Sequence, residues 1–160
     1  TVHQSIADKD NIKISFLNNC ENKEQVSCYY DELRIKQVIT NISSNAIKYN
    51  KEGGTVVMTL DEDDSMVTLT VEDSGKGIPA DSLDKVFDEF ETLGKVALHH
   101  EGTGLGMPIS KQLMEAMGGS INLSSEEGTG SKFWIKIPKT KVLDEKNYKE
   151  RPDAFGDLAA

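Results

Sequence analysis

Residues 31 to 50 read DELRIKQVITNISSNAIKYN, and their pattern of apolar and polar residues predicts one amphipathic helix. Its apolar residues recur at helical spacing, at Ile35, Val38, Ile39, Ile42, Ala46 and Tyr49. Asp31 is the predicted N-cap, and the helix should end near Asn50. A second stripe, formed by Asn41, Asn45 and Lys48, is spaced by four and three and stays within roughly 60° of arc on another side.

On either side of this helix, apolar and polar residues alternate in several short segments. Such alternation predicts strands, because every second side chain of a strand lies on the same face of the sheet. The predicted strands are 12–16, 26–30, 56–60, 67–71, 121–123 and 133–137. A short helix is expected over 81–87, and a longer one over 106–117 with Ile109, Leu113 and Ala116 facing inward. Strands and helices do not alternate strictly. This order favours an α/β two-layer sandwich, with helices on one face of a mixed, mainly antiparallel sheet.

Composition and net charge exclude some classes of function. A chain of 160 residues with 37% hydrophobic residues suits a single core. No apolar run approaches the roughly 18 residues of a membrane helix. The net charge of -9, with no basic face, would repel nucleic acid. If the ligand is itself an anion, a cation such as Mg²⁺ must accompany it.

The cysteines and the two ends of the chain indicate its redox compartment and its domain organisation. Cys20 and Cys28 lack metal-site spacing, so we expect reduced thiols in a cytoplasmic chain, with a disulfide as the alternative. The chain opens at Thr1 without a signal segment, and we expect a piece of a longer protein. Beyond Pro138 it is charged and unpatterned. We therefore divide it into a domain over 1–138 and a charged tail or linker over 139–160.

The polar stripe of the first helix has a chemistry of its own. A carboxamide oxygen is a neutral hard ligand suited to Mg²⁺, and an ammonium suits a phosphate oxygen. The alternative interpretation is an ordinary solvated helix face, which is the commoner origin of such a stripe.

Two glycine-rich turns offer further binding groups. Asp73 ends a predicted strand and is followed by Ser74-Gly75-Lys76-Gly77, where glycines let the backbone approach a flat ligand and the carboxylate can accept from an exocyclic amine. Gly102-Thr103-Gly104-Leu105-Gly106 opens a helix, where unpaired N–H groups bind anions. Alone, each turn is weak evidence, since such loops are often ordinary turns.

Together, the order and spacing of these segments resemble the ATP-binding catalytic domain of sensor histidine kinases, in the superfamily shared with gyrase, mismatch-repair ATPases and heat-shock chaperones. The resemblance covers about residues 1 to 138. It includes an N box (41–49), a first glycine box (73–77), a phenylalanine box (87–90), a second glycine box (102–106) and a closing hairpin that begins at 128–133.

The resemblance implies a role for each matching residue. Asn45 would ligate Mg²⁺, while Asn41 and Lys48 would reach phosphate oxygens and take part in catalysis. The second glycine box would wrap the phosphates through Gly102, Thr103, Gly104, Leu105 and Gly106. The adenine would be bound by Tyr49, Asp73, Gly75, Gly77, Ile78 and Ser131. The segment from about 91 to 101 would be an ATP lid that orders with nucleotide.

Asn41 separates the activities within the superfamily. Hydrolysing members place a glutamate there, whereas a carboxamide cannot act as a base and a neutral imidazole acceptor needs none. The resemblance therefore implies phosphoryl transfer from ATP to histidine in a two-component system. A regulatory nucleotide-binding module without transfer and a hydrolase are the alternatives.

The acceptor histidine is expected elsewhere. His99 and His100 lie in the predicted lid, next to glycines that make an acceptor helix implausible. The resemblance places the acceptor on a dimeric helical hairpin upstream of Thr1 and implies a response-regulator receiver domain as the downstream partner. We expect the fragment to be monomeric and the parent protein to be cytoplasmic in this part, whether or not it has a membrane anchor.

Overall fold

The computed structural model describes residues 11–21, 28–88 and 106–139. In these residues the strands are β1 (Lys13–Asn18), β2 (Thr55–Glu62), β3 (Met66–Asp73), β4 (Ser120–Glu126) and β5 (Gly130–Pro138). The α-helices are α1 (Glu32–Lys48) and α2 (Gly106–Ala116), and a 3-10 helix spans Ala80–Lys85.

The strands form one sheet in the order β1-β2-β3-β5-β4. β1 runs parallel to β2, and every other neighbouring pair is antiparallel. The expected mixed, mainly antiparallel sheet is therefore confirmed. The register pairs Asp73 at the end of β3 with Ser131 at the start of β5, so these two predicted site residues are cross-strand neighbours.

α1 forms where the sequence predicts it. Asp31 caps it by accepting a hydrogen bond of 3.0 Å from the Arg34 backbone N–H. The helix buries Val38, Ile42 and Ala46 against the strands. α1 contacts β3 and α2 contacts β4, while the two helices also contact each other. The helices therefore form one layer, and Asn41 on the polar side of α1 contacts α2.

Several local predictions were wrong. Alternation in β1 predicted a buried face, yet Ile14 is 50% and Phe16 59% exposed, because β1 is an edge strand of the described sheet and the two helices contact β3 and β4. A strand was predicted over 26–30, but residues 28–30, which the structure describes, do not form a β-strand. The short helix expected over 81–87, by contrast, is confirmed, as the 3-10 helix Ala80–Lys85.

The inward face of α2 also differs from the prediction. Ala116 is exposed and Ile109 and Leu113 are half-buried. The buried residues are instead Met107, Pro108, Ser110 and Met114. Ser110 is buried although it is polar, because its hydroxyl is hydrogen-bonded inside the helix pair.

The end of β5 is attached to the turn between β2 and β3. Lys139, the first residue of the predicted tail, belongs to the fold, because its ammonium lies 2.7 Å from a carboxylate oxygen of Glu62. Its backbone N–H also donates to the Ser65 carbonyl over 2.8 Å. Both bonds attach the end of β5 to the hairpin between β2 and β3. The rest of the predicted tail, 140–160, lies outside the described residues.

Candidate functional site

The polar stripe of α1 lies beside the core face. Asn41 and Asn45 are half-buried, and Lys48 is exposed at the end of the helix. Tyr49 caps α1 through its backbone N–H, is 45% exposed, and has the Lys48 ammonium 5.2 Å from the centroid of its ring. Helical geometry thus presents two carboxamides, one ammonium and one aromatic ring along the same end of α1.

Asn41 joins the N-box helix to the second glycine box. Its Nδ2 donates to the Gly106 carbonyl over 3.1 Å and to Ser110 Oγ over 3.0 Å. A Cβ added to Gly106 would lie 3.6 Å from Cγ of Asn41, which is ordinary contact. The start of α2 therefore lies directly against the polar stripe, as a common site for both segments requires.

Asp73 is a buried carboxylate at the end of β3. Its Oδ1 accepts a hydrogen bond of 2.8 Å from the Gly75 backbone N–H. Burial raises the pKa of Asp73, and backbone hydrogen bonds from Gly75 and Ser131 partly offset that rise. The carboxylate is therefore held in a fixed orientation in a place where water competes weakly for it.

The glycines of the first glycine box fit against the protein itself. A Cβ on Gly75 would lie 2.4 Å from the Tyr49 carbonyl oxygen, and a Cβ on Gly77 would lie 1.9 Å from that of Glu126. The Lys76 N–H donates to the Tyr49 carbonyl over 3.1 Å. In this part of the loop the glycines let the chain pass close to the end of α1 and to β4. The glycines therefore have a packing role in this loop, and their role toward a flat ligand stays a prediction.

Ser125 is a residue that the sequence analysis missed. Its hydroxyl accepts a hydrogen bond of 2.8 Å from the Ile78 N–H, donates to the Gly130 carbonyl over 2.8 Å and lies 3.0 Å from Ser131 Oγ. Because its one proton goes to Gly130, Ser131 must be the donor to Ser125. Ser125 thus links Ile78, the residue after the first glycine box, to β5, and no signal in the sequence pointed to it.

A comparison with known proteins now decides the family. The sequence profile of the family described as histidine kinase-, DNA gyrase B- and HSP90-like ATPase matches residues 30–141. The chain belongs to this ATPase family.

Two curated relatives of this ATPase domain are a histidine protein kinase and a sensor protein. Histidine protein kinase 1 of Candida albicans is 36% identical over 148 residues, which cover 89% of this chain and 6% of that protein. Sensor protein SrrB of Staphylococcus aureus is 43% identical over 116 residues, which cover 69% of this chain and 19% of that protein. The ATPase domain therefore spans less than a fifth of the length of either relative.

Solved structures agree with this assignment. The nucleotide-free catalytic domain of histidine kinase ThkA superposes with a TM-score of 0.72 at 31% identity, covering 88% of this chain and 87% of that one. Full-length ShkA in complex with AMPPNP gives a TM-score of 0.71 at 27% identity, covering 88% of this chain and 29% of that one. The ATPase domain has the fold of histidine kinase catalytic domains.

The donor set of the ATPase domain fits a magnesium nucleotide. The described residues contain no group of three or more His, Cys, Asp or Glu that could hold a metal. The carboxamides of Asn41 and Asn45 offer neutral oxygen ligands, and Mg²⁺ bound with few protein ligands takes its other ligands from phosphates and water. The residues therefore suit a cation that arrives with a nucleotide better than one bound by protein alone.

Part of the predicted site lies in the segment before α2. Gly102, Thr103, Gly104 and Leu105 lie outside the described residues, as do the predicted lid with His99 and His100. Of the phenylalanine box, Phe87 is half-buried and has the Lys111 ammonium 5.8 Å from its ring centroid, so it lies beside α2.

In the described part of the chain, neither helix has the length and apolarity of a membrane span.

Proposed function

We propose that this ATPase domain binds Mg-ATP beside the polar stripe of α1 and transfers the γ-phosphoryl group to a histidine of another domain. The proposal rests on the presence of a carboxamide, Asn41, at the start of the stripe. The nitrogen of this side chain donates hydrogen bonds to Gly106 and Ser110. A carboxamide cannot take a proton from water or from a hydroxyl. An acceptor that is already nucleophilic, such as a neutral imidazole, suits this site.

Recognition of the base is assigned to the end of β3 and the end of α1. Asp73 is buried, and the Gly75 N–H fixes one of its oxygens, so its carboxylate is suited to accept from the exocyclic amine of adenine. The exposed ring of Tyr49 would lie against the base. Gly75, Gly77, Ile78 and Ser131 would form the surrounding backbone and side-chain wall.

Recognition of the phosphates is assigned to α1 and the start of α2. Asn45 would ligate Mg²⁺, and Lys48 would reach a phosphate oxygen. Residues 102–106 would bind phosphate through backbone N–H groups at a helix start. When bound, Mg²⁺ neutralises charge on the transferring group, and the remaining contribution of this domain is positioning. The net charge of -9 makes such neutralisation necessary for an anionic ligand.

The remaining partners follow from the same proposal. The acceptor histidine would lie on a dimeric helical hairpin upstream in the parent protein, and the phosphoryl group would pass on to a response-regulator receiver domain. The domain would be monomeric by itself and would act in the cytoplasm.

Transfer is tested by incubating the domain with γ-labelled ATP, Mg²⁺ and the acceptor hairpin of the parent protein. We expect label on the hairpin that is lost in acid and kept in alkali, as a phosphohistidine requires. Asn45→Ala should abolish labelling, whereas Asn122→Ala, which changes an exposed asparagine of β4, should not. Binding of ATP without labelling would favour a regulatory module, and steady ATP turnover by the domain alone would favour a hydrolase.

A further inference from the structure

A closed ring of hydrogen bonds joins α1 to the first turn of α2. Asn41 Nδ2 donates to the Gly106 carbonyl over 3.1 Å and to Ser110 Oγ over 3.0 Å. Ser110 Oγ donates to the same Gly106 carbonyl over 2.8 Å. Ser110 is fully buried, with 0% of its surface exposed. Neither the helical periodicity nor the family boxes drew attention to this serine.

The chemistry of the ring fixes which atom plays which part. The Gly106 carbonyl can only accept, so the atom of Asn41 beside it must be the amide nitrogen. Ser110 has one hydroxyl proton, which goes to Gly106, so its oxygen accepts from Asn41. The two acceptors lie 2.8 Å from each other, and together they hold the amide nitrogen of Asn41 against the protein. Its carboxamide cannot turn over without placing an oxygen against the Gly106 carbonyl.

The ring determines what Asn41 can offer to a ligand. With its nitrogen held in the ring, Asn41 has its carboxamide oxygen outside the ring, and this oxygen can only accept hydrogen bonds or ligate a cation. Such an atom would repel a phosphate oxygen. This differs from the sequence-based expectation that Asn41 reaches phosphate, and it points instead to Mg²⁺ or to a water that the ion holds.

We propose that Ser110 is a positioning residue that fixes the Asn41 carboxamide with its oxygen available to the nucleotide-bound cation. The proposal rests on the proposed function, because it assumes that Mg-ATP binds beside α1. Ser110 acts through Asn41 and touches no ligand itself. The effect comes from its hydroxyl rather than its volume, because the hydroxyl both accepts a hydrogen bond from the Asn41 nitrogen and donates one to the Gly106 carbonyl.

A matched pair of variants separates the hydroxyl from the volume. Ser110→Thr and Ser110→Val add nearly the same bulk at this buried position, but only threonine keeps the hydroxyl. Ser110→Ala removes the hydroxyl without adding bulk and secures the test if the larger residues disturb folding. The readout is the dissociation constant of AMPPNP, measured by calorimetry once with Mg²⁺ and once with EDTA.

We expect loss of the Ser110 hydroxyl to change AMPPNP affinity in Mg²⁺ but not in EDTA. Ser110→Val and Ser110→Ala should weaken binding in Mg²⁺ by about 10- to 100-fold, the range for groups that orient a metal ligand. Binding in EDTA should stay within about twofold of the unaltered domain, and Ser110→Thr should keep the Mg²⁺ effect. Equal Mg²⁺ effects in the alanine, valine and unaltered proteins would overturn the positioning role.

A second readout needs no ligand. The Asn41 side-chain N–H protons should exchange slowly with solvent in the nucleotide-free domain and faster in Ser110→Ala, as followed by NMR. Equal exchange in both proteins would contradict the ring. Failure of the proposed function gives a different result, because the unaltered domain would then bind no AMPPNP under either condition, while the exchange difference would persist.

Discussion

The Asn41 side-chain nitrogen lies 3.1 Å from the Gly106 carbonyl oxygen, although the two residues are 65 positions apart in the chain. This bond joins the polar stripe of α1 to the first residue of α2. Two segments that the sequence only suggested to be partners are therefore in direct contact. The contact fixes the distance between the N box and the start of the second glycine-box helix, and the site depends on that distance.

The first prediction concerns two glycines with the same backbone conformation. Gly53 and Gly77 both have a φ of +68°, but an added Cβ meets nothing within 4 Å at Gly53 and the Glu126 carbonyl at 1.9 Å at Gly77. Gly77→Ala should therefore lower the free energy of unfolding by about 1–3 kcal/mol more than Gly53→Ala, since only the first adds overpacking to strain. Urea unfolding measures both, and equal losses would contradict the close approach.

The second prediction concerns Tyr49. Its ring is 45% exposed, and we propose that it lies against the adenine. Tyr49→Ala should weaken ATP binding by about 1–3 kcal/mol, the usual size of a base–aromatic contact. Tyr49→Phe, which keeps the ring, should bind nearly normally, and neither change should lower the unfolding temperature much. Calorimetry that gave the same affinity for alanine and phenylalanine would remove Tyr49 from the site.

The third prediction is a pair of opposite pH dependences. Burial raises the pKa of Asp73 above its ordinary 3.8, whereas hydrogen bonds from the Ser65 and Met66 backbone N–H groups lower the pKa of Asp63. The contribution of Asp73 to stability is therefore present at low pH and lost as pH rises through its raised pKa. That of Asp63 is present above 3.8 and lost as pH falls toward its lowered pKa.

Two asparagine variants make this difference measurable. As pH rises from about 4 to 7, the unfolding free energy of the unaltered protein should fall relative to Asp73→Asn. Relative to Asp63→Asn it should rise as pH increases toward about 4 from below, and stay level above that. Urea unfolding at several pH values gives both differences. Slopes of the same sign would show that the Asp73 carboxylate is not desolvated as the structure describes.

The fourth prediction concerns Ser125, which links Ile78, Gly130 and Ser131 through one hydroxyl. Ser125→Ala should cost about 1–3 kcal/mol, because it leaves part-buried polar groups without partners. The neighbouring Ser124 is exposed, so Ser124→Ala should change stability by less than about 0.5 kcal/mol. Thermal unfolding of both variants checks the difference, and similar values for the two would remove Ser125 from the junction.

The sequence predicted the elements whose patterns have one physical cause. α1 was predicted from its cap and its apolar spacing, and both were confirmed. The hairpin of β2 and β3 was predicted from alternation and an acidic turn, and its antiparallel pairing was confirmed. The polar stripe of Asn41, Asn45 and Lys48 could be recognised because these side chains recur at helical spacing, whereas its assignment as an N box came from the family resemblance.

Other features depend on tertiary contacts that local patterns do not contain. Alternation in β1 cannot tell whether a helix covers the strand, so the exposure of Phe16 was missed. Ser110 is buried because of partners 4 and 69 residues away, which hydrophobic spacing does not detect. The glycine of a binding motif can equally serve close packing, as Gly77 does against Glu126, and only coordinates separate the two uses.

The central claim is that the stripe of α1, Asp73 and the start of α2 form one magnesium–nucleotide site. Isothermal titration calorimetry with AMPPNP and Mg²⁺ tests it most directly, using the unaltered domain, Asn45→Ala and Asp73→Asn. We expect one nucleotide bound per chain, weaker binding when Mg²⁺ is removed, and a loss of affinity in both variants. No heat of binding in the unaltered domain, or unchanged affinity in both variants, would contradict the account.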